Sequence, residues 1–214
     1  MFVAIIILGM IFAGLLIYRN NPTSNASTIT VQEINEIENY ISKIYMWKEI
    51  TNEALPSFEN IDQADEIWIW EVIKKNLEEY ELSKEQIQTK AKEIFGEEFQ
   101  KELPKEGNQS FEYYEETGKY YATETNLDQQ EDLFLLENIE KTEHGYEVEI
   151  IEYIEDYGEE SVIKIRNLQD EEIGQVGSNE STSNIQEIVK NNKDRFNKKK
   201  ITIQNGVVCR VKSM

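Results

Sequence analysis

The sequence predicts an α+β protein: an N-terminal transmembrane helix, then a helical segment packed on a mainly antiparallel β-sheet with one late inserted helix. Three observations carry this prediction. The run from Phe2 to Tyr18 contains no charged side chain. From about residue 30 to residue 100, apolar residues recur at spacings of three and four, the period of a helix with one buried face. From about residue 110 onward, apolar and charged residues alternate, the period of a half-buried strand.

The apolar run, FVAIIILGMIFAGLLIY, would extend roughly 25 Å as a helix, short but adequate for a bilayer core of about 30 Å. Tyr18 and Arg19 suit a headgroup interface, and Asn20, Asn21 and Pro22 end the segment. Residues 1–19 are therefore read as an anchor holding the chain to the bilayer, and residues 20–29 as a polar tether. A cleaved signal peptide is the rival reading, with Ser24-Asn25-Ala26 as a poor cleavage site and no basic start before the apolar run. An N-terminal anchor of this kind favours a single-pass membrane protein whose remainder faces outward. Arg19 argues weakly for the opposite orientation.

Residues 30–214 are read as one acidic soluble domain. Thr30 and Glu33 form a capping box, and Val31, Ile34, Ile37, Ile41 and Ile44 extend a helix toward Glu53. A second helix is expected after Asn60, carrying Ile61, Ala64, Ile67, Trp70, Ile73, Leu77 and Tyr80. Its centre, IWIWEVI, is apolar nearly all round and so predicts burial on several sides. Ser83 and Gln86 open a third helix, which Gly96 ends. Strands follow at 111–114 and 119–123 around Gly118, then a longer hairpin, 133–141 and 146–154, around His144-Gly145. Within the second arm the apolar phase flips at Ile150-Ile151, which predicts a β-bulge there. Short strands are expected at 162–166 and 173–176, a helix at about 183–197, and a terminal hairpin at 200–212 around Asn205-Gly206. The helices would cover one sheet face and leave the glutamate-rich face to water.

The chain carries 42 acidic and 22 basic side chains, a formal net charge of -20. This balance disfavours nucleic acid and anionic lipid surfaces as partners. The charge is uneven: acids dominate from Asp128 to Glu172, and bases dominate from Lys190 onward. The single cysteine excludes an intrachain disulfide framework. Abundant Ile, Glu, Lys and Asn with little Ala and Pro suggest a bacterial, AT-rich source.

Motifs for chemistry are sparse. The one histidine, His144, falls in a turn, so neither a histidine-based zinc site nor a Ser-His-acid triad is expected. Cys209 alternates with Val207 and Val211 and reads as a small core residue. Acidic groups such as Asp128, Glu131, Asp132, Glu155, Asp156, Glu159 and Glu160 lack a calcium-loop pattern, and no phosphate loop, dinucleotide fingerprint or nucleophile elbow is present. No catalytic residue, cofactor or metal is assigned. The candidate contact surface is aromatic: Trp47 and Trp68 on the helices, and Tyr113, Tyr114, Tyr120 and Tyr121 on the first hairpin. The expectation is a non-enzymatic, membrane-anchored module outside the cell that contacts a protein or ligand. The alternatives are a cytoplasm-facing adaptor or subunit of a membrane complex, and a carboxylate-dependent envelope enzyme.

Overall fold

The structure, a computed structural model, describes residues 29–124, 130–157 and 161–214. The expected anchor, residues 20–28 of the tether, and Asp128, Glu159 and Glu160 lie outside these residues. Ile29, read as the end of the tether, is buried in the core.

Helix α1, Val31–Ile44, starts on the expected capping box: Thr30 accepts from the Glu33 backbone N–H, and Glu33 accepts from the Thr30 backbone. Ile29 just before the cap and Ile34 in the first turn are both buried, the placement of a hydrophobic staple. The helix stops at Ile44, well short of Glu53. Tyr45 and Met46 leave helical geometry for tertiary contacts: the Tyr45 hydroxyl donates to the Leu133 carbonyl, and the Met46 N–H donates to the Ala54 carbonyl. The carbonyls freed at the helix end are taken up by the end of another helix. Lys75 Nζ donates to Ser42 O and Tyr45 O, and Asn76 Nδ2 donates to Lys43 O. A short helix, α2, Lys48–Thr51, follows.

The expected second helix is shorter and starts later. Ile61–Gln63 is a single 3-10 turn capped by Asn60, and α3, Glu66–Lys75, begins after Asp65, whose side chain accepts from Trp68 N. Two N-cap residues, Asn60 and Asp65, therefore divide one apolar periodicity into a turn and a helix. From Trp68 to Ile73 every residue of α3 is buried, as the all-round apolarity implies. Glu71 shares this burial and accepts from Lys74 Nζ and Ser110 Oγ, each at 2.8 Å. Helix α4, Lys84–Phe95, carries the Ser83–Gln86 capping box and ends at Gly96 with φ 94°. Just before it, the two-residue strand β1, Glu81–Leu82, pairs with β3, Lys119–Ala122, which pairs in turn with β2, Phe111–Tyr114.

The larger sheet is antiparallel throughout and is organised around its longest strands. These are β4, Gln130–Lys141, and β5, Gly145–Asp156. Along its other edge β5 first pairs with β8, Asn197–Gln204, through Glu152, and then with β6, Val162–Arg166, from Ile154. The sheet thus splits: β8 continues to β9, Val207–Ser213, and β6 continues to β7, Glu172–Gly177.

No bulge interrupts β5. Register shifts instead between Leu136 and Asn138 on the facing strand. The phase flip at Ile150-Ile151 has another cause, for the two residues serve two cores. Ile150 packs with Ile37, Ile41, Trp68 and Ile201 under α1, α3 and α4. Ile151 packs with Ile163, Ile165, Ile185 and Val189 under α5. Helix α5, Thr182–Asn191, ends earlier than expected, and a 3-10 turn at Lys193–Arg195 returns the chain to β8. It lies so close to β7 that a Cβ on Gly174 would sit 2.9 Å from Ile188 Cγ2.

Helices therefore cover parts of both sheet faces, not one. The charged remainder of the second face is laced by ion pairs, including Lys198–Glu137, Lys200–Glu147 and Arg210–Glu147. Cys209 also departs from expectation. It sits where β9 shifts register, so Val208 and Val211 carry the core contacts, and its thiol lies 3.3 Å from Thr202 O.

Candidate functional site

Strand alternation divides the expected aromatic surface. Tyr113 and Tyr120 face each other across β2 and β3 on the inner side, with ring centroids 4.9 Å apart, and Tyr120 is buried. Lys105 Nζ lies 4.7 Å above the Tyr113 ring. Tyr114 and Tyr121 point to the outer side, 4.8 Å apart, joined there by Tyr80, which the sequence reading did not single out. Tyr80 and Tyr114 are exposed.

The helical members also separate. Trp68 is a core residue wedged between Phe58 and Phe95, and its indole N–H donates to Ala54 O at 3.2 Å. Trp47 is half-buried, with Lys75 Nζ 5.5 Å from its ring. The six aromatic residues do not converge on one site.

What does converge is polar. Where the sheet splits, a cavity of about 260 Å³ opens on the helix-covered face. Its floor is made by Glu152 of β5 and by Asn197 and Lys199 of β8; one wall is Lys48 and residues 52–55, and the other is Leu168 and Gln169. Ser213 closes the side toward β9.

The geometry follows from register. Glu152 is the partner of Asn197 and Ile150 the partner of Lys199, so these side chains share a face with Val148, Ile150, Ile201 and Ile203. Lower on that face both strands are apolar and fully packed. At the level of the split both become polar, yet the side chains stay buried, Glu152 at 1 % and Lys199 at 5 % exposure.

Each charged group has protein contacts. Lys199 Nζ donates to Ser213 Oγ at 3.1 Å and to Glu53 Oε2 and Ser57 Oγ at 3.4 Å. The Tyr45 hydroxyl, whose one proton is shared with the Leu133 carbonyl, lies 3.3 Å from Glu152 Oε1. At the rim, Lys48 Nζ lies 3.2 Å from Asp170 Oδ1. The second wall is itself well built. Asn167 is buried, and its Oδ1 accepts from the backbone N–H groups of Gln169 and Glu171 while its Nδ2 donates to Arg195 O. Gln169 Nε2 then donates to Asn197 Oδ1 at 3.2 Å, joining wall to floor.

The other residues considered for chemistry are dispersed. His144 is exposed in its turn, and desolvation pushes the Cys209 thiol above its ordinary range. Among the described residues no three His, Cys, Asp or Glu side chains are grouped as metal ligands, and no helix is long and apolar enough to cross a membrane. Comparison with protein-family models, with curated proteins and with solved structures gives no match. The cavity is therefore interpreted from its own chemistry.

Proposed function

We propose that the chain is a membrane-tethered, non-enzymatic binding module, held in the bilayer through Phe2 to Tyr18 with its acidic domain outside a bacterial cell, and that it binds a small polar ligand in the cavity at the sheet split. One observation carries the ligand reading: two side chains of opposite charge, Glu152 and Lys199, are buried on the apolar face of adjacent strands and both line the same cavity. Burying a charge costs several kcal/mol unless strong partners offset it. Two of the three contacts of Lys199 are long, at 3.4 Å, and its acidic partner Glu53 is 60 % exposed. Charge placed against such a cost, beside a cavity rather than in a close-packed cluster, marks a binding site.

The size of the cavity limits the ligand. At about 30 Å³ per water, its volume equals about nine waters, so the ligand has on the order of ten non-hydrogen atoms. The test is a thermal-shift screen of the full chain in mild detergent against small metabolites of mixed charge. Ligands that raise the melting temperature of the parent, but not of a Glu152→Gln/Lys199→Met variant, support the reading. A screen in which parent and variant respond alike, or neither responds, removes it. Protease treatment of intact cells tests the orientation, for an outward domain is degraded and an inward one is protected.

A second reading, the cytoplasm-facing adaptor or subunit of a membrane complex, draws on the outer side of the small sheet. There Tyr80, Tyr114 and Tyr121 form an edge-to-face cluster that is partly open to solvent, and tyrosine is enriched in protein contact surfaces. A stoichiometric partner that co-purifies with the parent and is lost from a Tyr80→Ser/Tyr114→Ser variant would favour this reading over the first.

A further inference from the structure

We propose that the charged part of the outer sheet face, across β4, β5, β8 and β9, pairs with the same face of a second copy of this chain, about a two-fold axis that runs along the strands between β5 and β8.

Register sorts the charge on this face by strand. Glu147 is the partner of Glu140 on one side and of Thr202 on the other, and Thr202 is the partner of Arg210. In the next row Glu149 lies between Asn138 and Lys200, and Lys200 is the partner of Lys212. Partners in a ladder point to the same side of the sheet, so each row is a stripe on one surface. Further along this face Leu135 and Ile151 pack with Ile185 and Val189 of α5, which leaves the charged rows as the part not roofed by that helix. Across these rows acids stand on β4 and β5, bases stand on β8 and β9, and the sign changes at the boundary between β5 and β8.

The formal net charge of -20 opposes contact between copies at most parts of the surface. Here the opposition is lifted. Glu137, Glu140, Glu147 and Glu149 stand beside Lys198, Lys200, Arg210 and Lys212, so the face is close to neutral while its two halves differ in sign. Such a face is complementary to itself when turned over.

The stripes also fix the axis. A two-fold axis across the strands would lay each strand on its own counterpart, acid on acid and base on base. An axis along the strands lays β5 on β8 and β4 on β9 and keeps each row at its own level. Glu149 of one copy then faces Lys200 of the other, Glu140 faces Arg210, and symmetry makes each contact twice. Packed sheets lie about 10 Å apart, a gap that a glutamate and a lysine or arginine span together. Among the described residues neither Glu140 nor Glu149 is in an ion pair, whereas Lys200 and Arg210 share Glu147. The second copy thus brings cations to two acids without requiring an existing pair to break.

Four strands about 4.8 Å apart, open over about six residues at about 3.4 Å each, present roughly 400 Å² per copy. A standard interface buries about 800 Å² per partner, so this dimer is weak, and its charged contacts make it sensitive to salt.

The experiment is sedimentation equilibrium of the full chain in mild detergent, comparing the parent with Glu140→Lys/Glu149→Lys and with Lys200→Glu/Arg210→Glu. The parent should form a reversible dimer that weakens at least tenfold as salt rises from about 0.05 M to about 0.5 M. Each variant alone should dimerise at least tenfold less tightly, because its reversed positions meet like charge. An equimolar mixture of the two should regain the parental affinity, since reversed positions then meet reversed ones and retained positions meet retained ones. Glu140→Lys/Glu149→Lys is the sharper variant. It brings the net charge closer to zero, so a general charge effect would strengthen its association, and a dimer made through the apolar N-terminal run would ignore the change. A parent that stays monomeric, a variant that dimerises as tightly as the parent, or a mixture no tighter than its components overturns the proposal. Lys200→Glu/Arg210→Glu sets like charge beside Glu147, so urea unfolding checks its fold. If it is unfolded, Lys200→Gln/Arg210→Gln takes its place, and a mixture that associates no more tightly than Glu140→Lys/Glu149→Lys alone overturns the proposal equally.

Discussion

The sharpest test of the cavity is a stability measurement on the Glu152→Gln/Lys199→Met variant without any ligand. If the two charges exist to hold the fold together, removing both should damage it. The structure argues the reverse. Lys199 has a 6 % exposed side chain, so its ammonium has surrendered most of its hydration, at a cost of several kcal/mol. Against that cost stand three contacts at 3.1–3.4 Å. Two hydrogen bonds from the charged ammonium contribute about 1.5–3 kcal/mol each at good geometry, less at the longer distance, and the pair with the largely exposed Glu53 about 0–1 kcal/mol. The sum roughly matches the cost. Methionine has a similar length, no charge and the flexibility to fill an irregular gap. Gln at 152 keeps an acceptor for the Tyr45 hydroxyl and sheds the buried charge. The double variant should therefore range from unchanged to about 3 kcal/mol more stable. The single Lys199→Met change should be less favourable than the double, because it removes one cation from the cavity while the buried Glu152 carboxylate stays; the coupling should be about 0.5–3 kcal/mol. Urea unfolding followed by tryptophan fluorescence measures all three, with Trp68 and Trp70 as buried reporters. A double variant more than about 2 kcal/mol less stable than the parent would show that the charges serve the fold, and the functional reading of their burial would be lost.

Other predictions test the scaffold. Gly145→Ala should cost about 3 kcal/mol, since its Cβ would lie 2.0 Å from Ile203 O between β5 and β8. Gly107→Ala, where φ is 74° but nothing stands within 4 Å, should cost only about 1 kcal/mol, and equal losses in urea midpoint would refute the steric argument. Trp68→Ala should cost about 3–5 kcal/mol and also weaken ligand binding, because the lost indole anchors the Ala54 wall of the cavity; full affinity in the folded variant would disconnect the two. Thr30→Ala should cost about 1 kcal/mol through the α1 cap, measured by the same unfolding. Glu33 carries a pH signature: hydrogen bonds from Lys141 and Thr30 hold its carboxyl down at about 2. Its folded pKa lies below its unfolded one, so its contribution is present above the ordinary carboxylate range and is lost as pH falls from about 4.5 toward 2. Glu33→Gln should flatten that acid-side loss, and identical pH profiles would count against it.

Local chemistry was readable from the sequence at several helix starts and turns, though the Ser183–Gln186 cap expected for the last helix does not form, since α5 starts after Ser181 with no side-chain cap. The capping boxes at Thr30 and Ser83, the left-handed Gly96 and Gly118, and the Asn205-Gly206 turn all stand where their side chains and backbone freedom require. Helix extents were not readable, because distant groups set them. Nothing near Ile44 in sequence announces that Lys75 and Asn76 will take the last carbonyls of α1. Asp65 was a missed local signal, an acid three residues before Trp68 that caps α3 and divides the apolar period. In β5, two adjacent apolar residues read as a bulge because one buried face was assumed; with cores on both faces the same pattern belongs to a regular strand. The aromatic candidates failed for a related reason. Neighbours on a strand go to opposite sides, so a run of tyrosines cannot be one surface.

The cavity shows the same limit most clearly. On β5 the inner positions read Val148, Ile150, Glu152; on β8 they read Ile203, Ile201, Lys199, Asn197. Taken singly, β8 runs from apolar to polar toward one end, which ordinarily means that it is leaving the core, and on β5 one polar residue stands between buried Ile150 and Ile154. The candidate site arises only because the two polar positions coincide. Pairing of Glu152 with Asn197, 45 positions apart in the chain, sets the two polar residues at one level. The switch of partner on β5 from β8 to β6 opens the sheet there, and the loop after α2 together with the Leu168–Gln169 turn covers the opening from above. Phe134, across β5 from Glu152 on the other edge, stays apolar, so the polar level is confined to the split side of the sheet. Charge that spread across all the strands would mean a solvated sheet end. Charge confined to the two strands beside a covered gap supports the proposal that the gap holds a charged ligand.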